Sequence, residues 1–135
     1  MRIFNSKDDW EGKVNFVDEN NVFVGYDTDQ GCCEDANWFI ADEIIKDLTY
    51  DFMEGVRKEK KWQELKNADL YRFDRSFFYT GVGMSDLDAG GIAVFRLCGT
   101  EADDKYLHLY NSHNGFYGHG FQFRVNDKII QDGCL

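Results

Sequence analysis

The chain contains no proline, no long apolar run and fewer basic than acidic side chains. Average usage of about 5% would give roughly seven prolines in such a chain. Their absence excludes the Pro-Cys-x-x-Cys signature of zinc-dependent deaminases. No run of about 18 apolar residues is present, so no membrane-spanning helix is predicted. Residues 1–10 lack the apolar segment of a secretory signal, and we therefore expect a cytoplasmic protein.

Acidic side chains dominate the charge of this protein. Fifteen basic residues against 25 acidic ones give a net charge of −10. A chain with this balance repels phosphate backbones, so we expect no direct nucleic-acid binding. Residues 1–54 hold 14 of the acidic and only 4 of the basic side chains. The acidic side chains have one of two roles: they attract a basic protein partner, or they only keep the protein soluble.

Length and aromatic content predict one compact domain over residues 1–135. A chain of this size can bury about two-thirds of its unfolded surface without metal or disulfide cross-links. Hydrophobic residues make up 43% of the chain, including 12 Phe, 7 Tyr and 3 Trp. Such a composition excludes a disordered segment.

The hydrophobic pattern predicts an α+β fold with about six strands and one or two helices. Residues 13–18 and 22–27 predict a β-hairpin that reverses at Asn20 and Asn21, because asparagine tolerates the positive φ of tight turns. Apolar residues four apart predict helix within residues 40–67, although an extended stretch over residues 38–45 remains an alternative. Later strands are predicted over residues 70–79, 92–97, 105–110 and 120–125, with the last two paired. The predicted core consists of Phe16, Val24, Ile44, Leu48, Phe52, Val94, Leu107, Leu109, Phe121 and Phe123.

Four cysteines and three histidines are the residues available for metal or nucleophile chemistry. Without an export signal we expect reduced thiols at Cys32, Cys33, Cys98 and Cys134. If the strand at 105–110 pairs with that at 120–125, His108, His113 and His119 converge and form a candidate ligand or metal site with Cys32. Cys32 beside a histidine is also a conceivable nucleophile, but the neighbouring Glu34 and Asp35 oppose thiolate formation.

Familiar catalytic motifs are incomplete in this sequence. No P-loop, zinc-protease helix motif or hydrolase nucleophile elbow occurs. The acidic run that starts at Asp27 has Cys32 and Trp38 where a calcium loop needs Gly and Glu. A second acidic run starting at Asp86 ends on Leu97 instead of Glu. We therefore expect no cofactor, and the sequence leans against an enzyme.

Two short stretches resemble an uncharacterised domain family of phage and bacterial genomes. One runs from Gly25 through Cys32, Cys33 and Glu34 to Trp38, and follows the predicted hairpin. The other runs from Asn111 to Tyr117 and contains an Asn-Gly-Phe-Tyr turn before the last predicted strand. The resemblance implies a small prokaryotic or phage accessory protein and assigns no catalytic residue.

Two functions are compatible with these observations. The first is a non-catalytic interaction protein, of the inhibitor or immunity type, that binds a basic partner through Asp27, Asp29, Glu34 and Asp35. These carboxylates lie on the hairpin or in the loop that follows it. The alternative is a small-ligand or metal-binding module, in which an enzyme is included, built around His108, His113 and His119. No oligomeric state is predicted.

Overall fold

A computed structural model describes residues 1–8, 11–29, 35–46, 65–76, 79–84, 87–113 and 118–135. The regular structure of these residues consists of antiparallel β-strands, with a 3₁₀ turn, Ala68–Leu70, before the fifth strand. The strands are β1 (Arg2–Asp8), β2 (Glu11–Val17), β3 (Val22–Asp27), β4 (Asp35–Ala41), β5 (Tyr71–Phe73), β6 (Tyr79–Met84), β7 (Leu87–Gly99), β8 (Lys105–His113), β9 (Gly120–Val125) and β10 (Lys128–Cys134).

The ten strands form two antiparallel five-stranded sheets. Sheet A has the order β1-β2-β3-β9-β10. Sheet B has the order β4-β8-β7-β5, and β6 pairs with β7 beyond the end of β5. In the described ranges no helix is long and apolar enough to cross a membrane.

The main core lies between the two sheets and is rich in aromatic rings. Phe95 of sheet B has its ring centroid 5.5 Å from that of Phe123 in sheet A. Phe16 of sheet A meets Trp38 of sheet B edge to face at 5.0 Å. The Tyr26 hydroxyl donates a hydrogen bond of 2.7 Å to the backbone oxygen of Tyr110 and so links the sheets. The sheets therefore pack face to face as a sandwich.

A second cluster covers the other face of sheet B. Phe39, Ala41, Ile92, Val94 and Tyr110 are buried there, with Ile44 and Ile45 packed against them. Sheet B is consequently apolar on both faces. A strand in this position shows a continuous apolar run instead of an alternating one.

The β2–β3 hairpin is confirmed, and one aspartate fixes its turn. β2 pairs with β3 in antiparallel register, and Asn21 has φ 56°. Asp18 Oδ1 accepts the backbone N–H groups of Asn20 and Val22, at 2.9 and 3.0 Å. Asp18 Oδ2 accepts the N–H of Phe73 at 2.9 Å, which ties the turn to sheet B. Asp18 is therefore buried and structural.

The predicted α+β class is wrong, because the described secondary structure is β except for one 3₁₀ turn. Most of the predicted helical segment, residues 47–64, lies outside the described residues. In its described parts, residues 40–41 complete β4 and residues 42–46 are not helical. The apolar run of β4 is compatible with either helix or strand by periodicity alone, and burial on both faces explains it as strand.

The predicted pairing of the 105–110 strand with the 120–125 strand is also wrong. β8 pairs with β4 and β7 in sheet B, whereas β9 pairs with β3 and β10 in sheet A. The phenylalanines of β9 contact Phe95 across the core, so the two regions meet face to face and not edge to edge.

Most of the predicted core is confirmed. Seven of the residues proposed for it have exposures of at most 4%: Phe16, Val24, Val94, Leu107, Leu109, Phe121 and Phe123. Ile44 is partly buried against the second cluster. Leu48 and Phe52 lie outside the described residues.

Candidate functional site

The outward face of sheet A carries a row of residues, three of them polar, that crosses all five strands. Alternation turns Val14, Phe16, Val24 and Phe123 into the core and their neighbours outward. The strand register then places residues of different strands side by side. The central row consists of Phe4, Asn15, Gly25, Gln122 and Asp132.

This face forms an open groove of about 850 Å³. Such a volume is within the range of about 300–1,000 Å³ typical of small-ligand sites. The charged side chains that line it are Lys13, Arg124, Asp27 and Asp132. Two cations and two anions balance, so the groove has no net charge in a protein of net charge −10.

An arginine, a glutamine and a phenylalanine form a connected unit in the groove. The Arg124 Nε donates a hydrogen bond of 3.1 Å to Gln122 Oε1, and its Nη2 donates to the same oxygen. The Arg124 guanidinium also lies over the Phe23 ring, 5.1 Å from the centroid. These contacts fix the Gln122 amide with its Nε2 donors directed away from Arg124. The unit is therefore oriented before any ligand binds.

A second oriented amide lies on the other side of Gly25. Asn15 Nδ2 donates to Ser6 Oγ at 2.9 Å, and to the backbone oxygen of Phe4 at 3.4 Å. Asn15 Oδ1 is 3.5 Å from the position that a Cβ on Gly25 would occupy. The same position is 2.9 Å from the edge of the Phe23 ring. Gly25 thus lets the aromatic ring lie across the groove floor between two amides.

Gly120 leaves open space at the end of the groove. A Cβ on Gly120 would meet only the backbone oxygen of Gly133, at 3.9 Å, and its backbone needs no positive φ. Glycine in a strand without a packing reason marks a place where a ligand can approach the backbone. Gly12 has equal freedom, with nothing within 4 Å, but does not line the groove.

The carboxylates predicted to bind a partner do not form one surface. Asp27 lines the groove and its Oδ1 accepts the N–H of Asp29 at 2.9 Å, while Asp29 itself is exposed. Asp35 is turned to the outer face of sheet B, where its Oδ2 accepts the Tyr110 hydroxyl at 3.4 Å. Glu34 lies outside the described residues. Asp27 and Asp35 thus belong to the opposite faces of the sandwich.

His108 is a structural residue in the second cluster of sheet B. It is fully buried, and its ring stacks on Phe39 with centroids 4.3 Å apart. Its Nε2 accepts the backbone N–H of Ile45, and its Nδ1 donates to the backbone oxygen of Tyr106, each at 3.0 Å. Burial lowers the pKa of His108 to about 4, against the opposing effect of the Tyr106 hydrogen bond. His108 is therefore neutral at neutral pH, and both of its ring nitrogens have hydrogen-bond partners.

His119 lies on the other side of sheet B from His108, at the end of the main core. It is 3% exposed, and its Nδ1 is 3.0 Å from the backbone oxygen of Asp27. His119 and His108 thus do not share a site. His113 ends β8 with its backbone opposite Ala89. Its side chain and Cys32 lie outside the described part of the chain, within which no three metal-binding side chains converge.

Two of the four cysteines are described, and both are free thiols. Cys98 is half-buried in β7, and burial raises the pKa of its thiol above the usual value. Cys134 is exposed at the end of the groove. The reduced state expected for all four cysteines stays a prediction.

Comparisons with protein-family models, with curated proteins and with solved structures give no match. The resemblance to a phage and bacterial domain family therefore stays a prediction. The groove of sheet A and the side chains that line it are therefore the basis for assigning a function.

Proposed function

We propose that this protein is a non-catalytic binding protein, and that the groove on the outward face of sheet A is its binding surface. The observation that carries the proposal is the pair of oriented amides, Asn15 and Gln122, on either side of Gly25. Ordered polar groups around an open concave floor are typical of binding sites, because little entropy is lost when they engage a ligand.

The groove supports binding better than catalysis. The residues that line it and carry acid–base or nucleophilic groups are Ser6, Lys13, Tyr26, Asp27, Asp132 and Cys134. Three of these groups already have partners within the protein, because Asp27 Oδ1 accepts the Asp29 N–H, Ser6 Oγ accepts from Asn15 and the Tyr26 hydroxyl donates to the Tyr110 backbone oxygen. The two oriented side chains of the groove, Asn15 and Gln122, are neutral amides, which suit ligand binding better than proton transfer.

A valine at Gly120 tests the proposal. A Cβ at Gly120 would meet no atom closer than 3.9 Å, so we expect the Gly120→Val side chain to enter the end of the groove. Valine also prefers strands to glycine, so we expect an equal or higher melting temperature together with loss of binding. The matched control is Gly12→Val, which changes a strand glycine outside the groove.

The measurement is binding of three probe classes to the wild type and both variants by microscale thermophoresis. The probes are neutral polysaccharides, the anionic polymer heparin and the basic protein cytochrome c. The proposal expects one class to bind the wild type and Gly12→Val, and to bind Gly120→Val at least tenfold more weakly. Equal binding by the wild type and Gly120→Val would remove the groove as the binding surface.

A basic protein partner is the second candidate, supported by the net charge of −10 and the exposed Asp29. Asp29→Asn would weaken this binding and reduce its dependence on salt, because charge attraction speeds the encounter. The Gly120→Val variant retains this carboxylate, so it separates the two candidates.

A further inference from the structure

We infer that the ligand of the groove is a neutral, hydroxyl-rich oligosaccharide. This inference rests on the proposed function, since it names the ligand class of the same groove. Its structural basis is the Phe23 ring on the floor with the amides of Asn15 and Gln122 on its two sides.

The backbone of the groove floor is already used by the sheet. β2, β3 and β9 each have a neighbour on both sides, so their N–H and C=O groups bond to other strands. An extended peptide gains its affinity from backbone hydrogen bonds at a sheet edge. A ligand over the central strands meets side chains alone. This arrangement favours a ligand whose own polar groups are hydroxyls over a peptide.

The charge balance of the groove favours an uncharged ligand. Lys13 and Arg124 are matched by Asp27 and Asp132, whereas the whole chain carries −10. A polyanion would meet the field of the whole protein without a cationic patch to offset it. A polycation would be repelled by Lys13 and Arg124 within the groove. A neutral ligand avoids both penalties and still gains hydrogen bonds.

The amides supply both roles that a sugar hydroxyl needs. A hydroxyl donates one hydrogen bond and accepts others. Asn15 is only 6% exposed, and its Oδ1 lies beside Gly25 as the remaining acceptor, because its Nδ2 group is used by Ser6 and Phe4. Gln122 presents its Nε2 donors, because its Oε1 is used by Arg124. Donor and acceptor thus lie on opposite sides of Gly25, where a ring with hydroxyls on neighbouring carbons can engage both.

The Phe23 ring provides the apolar part of the site. It lies across Gly25, and only a glycine there leaves the room for it. The Arg124 guanidinium covers one face of the half-buried ring, 5.1 Å from its centroid, so the C–H face of a pyranose can pack only on the part of the ring that Arg124 leaves open. The groove volume of about 850 Å³ also accommodates more than one ring.

The test is affinity electrophoresis in native gels that contain soluble starch, dextran, β-glucan, xylan or galactomannan. We expect at least one of these polysaccharides to retard the wild type and Gly12→Val. Gly120→Val and Gln122→Ala should bind it at least tenfold more weakly. Binding should change little from about 0.05 to 0.5 M salt, because no ion pair with the ligand is formed.

Two further outcomes would overturn the inference and are distinguishable. If none of the neutral polysaccharides retards the wild type while heparin or cytochrome c binds in a Gly120-dependent manner, the ligand class is wrong and the groove remains the binding surface. If a polysaccharide binds equally to the wild type, Gly120→Val and Gln122→Ala, the site lies elsewhere, and both the inference and the proposed function fail. Melting curves of each variant exclude unfolding as the cause of lost binding.

Discussion

Acidification should destabilise the protein through His108. The ring is fully buried between Phe39 and the backbone of Ile45, and its Nε2 accepts a hydrogen bond from that backbone. Protonation would place a hydrogen on Nε2, so that two donors, this N–H and the Ile45 N–H, would face each other. It would also bury a charge. Both effects favour the neutral ring in the folded state.

The magnitude follows from the difference between the folded and unfolded pKa of His108. The pKa falls from 6.5 to about 4, chiefly because of burial. Between these values the unfolded chain binds more protons than the folded one, so stability rises with pH across this window. The contribution is present above pH 6.5 and is lost as the pH falls toward 4. It amounts to about 2 kcal/mol between pH 7 and 5, and about 3 kcal/mol between pH 7 and 4.

The assay is urea unfolding of the wild type and His108→Gln at intervals from pH 7 to pH 4. Glutamine can accept the Ile45 N–H through its Oε1 but does not titrate. At pH 7 the variant should be less stable, since it loses the stacking on Phe39. The difference between the two free energies of unfolding should shrink by about 3 kcal/mol toward pH 4. Other titrating groups are common to both proteins and cancel in this difference.

A constant difference between the two proteins across this range would refute the argument. It would mean that His108 binds protons equally in the folded and unfolded states, and so that burial does not depress its pKa. NMR titration of the His108 ring signals provides an independent reading of the same quantity, with a midpoint expected at about 4.

Two other substitutions probe the structural residues. Asp18→Ala leaves three backbone N–H groups without their acceptor and should lower the free energy of unfolding by about 3 kcal/mol or more, measured by urea unfolding. The control Glu19→Ala removes only an exposed ion pair with Arg72 and should leave the free energy of unfolding nearly unchanged. Gly99→Ala should destabilise the protein by about 2 kcal/mol or more, because its Cβ would clash with the Ala102 backbone oxygen, whereas a small loss would show that the loop adapts.

Local sequence signals predicted the β2–β3 hairpin and the strand β9. The hairpin has a turn with Asn21 at positive φ, between two runs rich in Val and aromatic residues. In β9, Phe121 and Phe123 alternate with polar residues, and the observed bounds, Gly120–Val125, are those predicted. Both cases depend on side-chain alternation and turn chemistry, which act over a few residues.

The edge strands β1 and β10 were not predicted from the sequence. β10 is exposed along its length and has a bulge between Ile129 and Gln131, so it lacks the alternation of a buried strand. A signal was nevertheless present. Asn126 and Asp127, with φ of 51° and 66°, form the tight turn that joins it to β9. This pair could have predicted the second hairpin, as Asn20 and Asn21 predicted the first.

The partition of strands between two sheets could not be derived from the sequence. The stretch from β8 to β9 has the length and glycine content of a hairpin loop, yet it joins sheet B to sheet A. Side-chain alternation shows which face of a strand is apolar. It does not show which strands are its hydrogen-bonded neighbours and which pack against it across a core. The choice depends on long-range packing, here the contact of Phe95 with Phe121 and Phe123.

The groove escaped prediction because each of its residues is ordinary within its own strand. Asn15 between Val14 and Phe16, or Gln122 between Phe121 and Phe123, is the alternation of any half-buried strand. Only the pairing of β3 with β9 brings these two amides to either side of Gly25. Acidic residues, in contrast, stand out in a sequence wherever they lie, and their pattern therefore predicted a charged site. The two oriented amides of the groove are neutral, and the candidate site is therefore recognised only when the strand register is known.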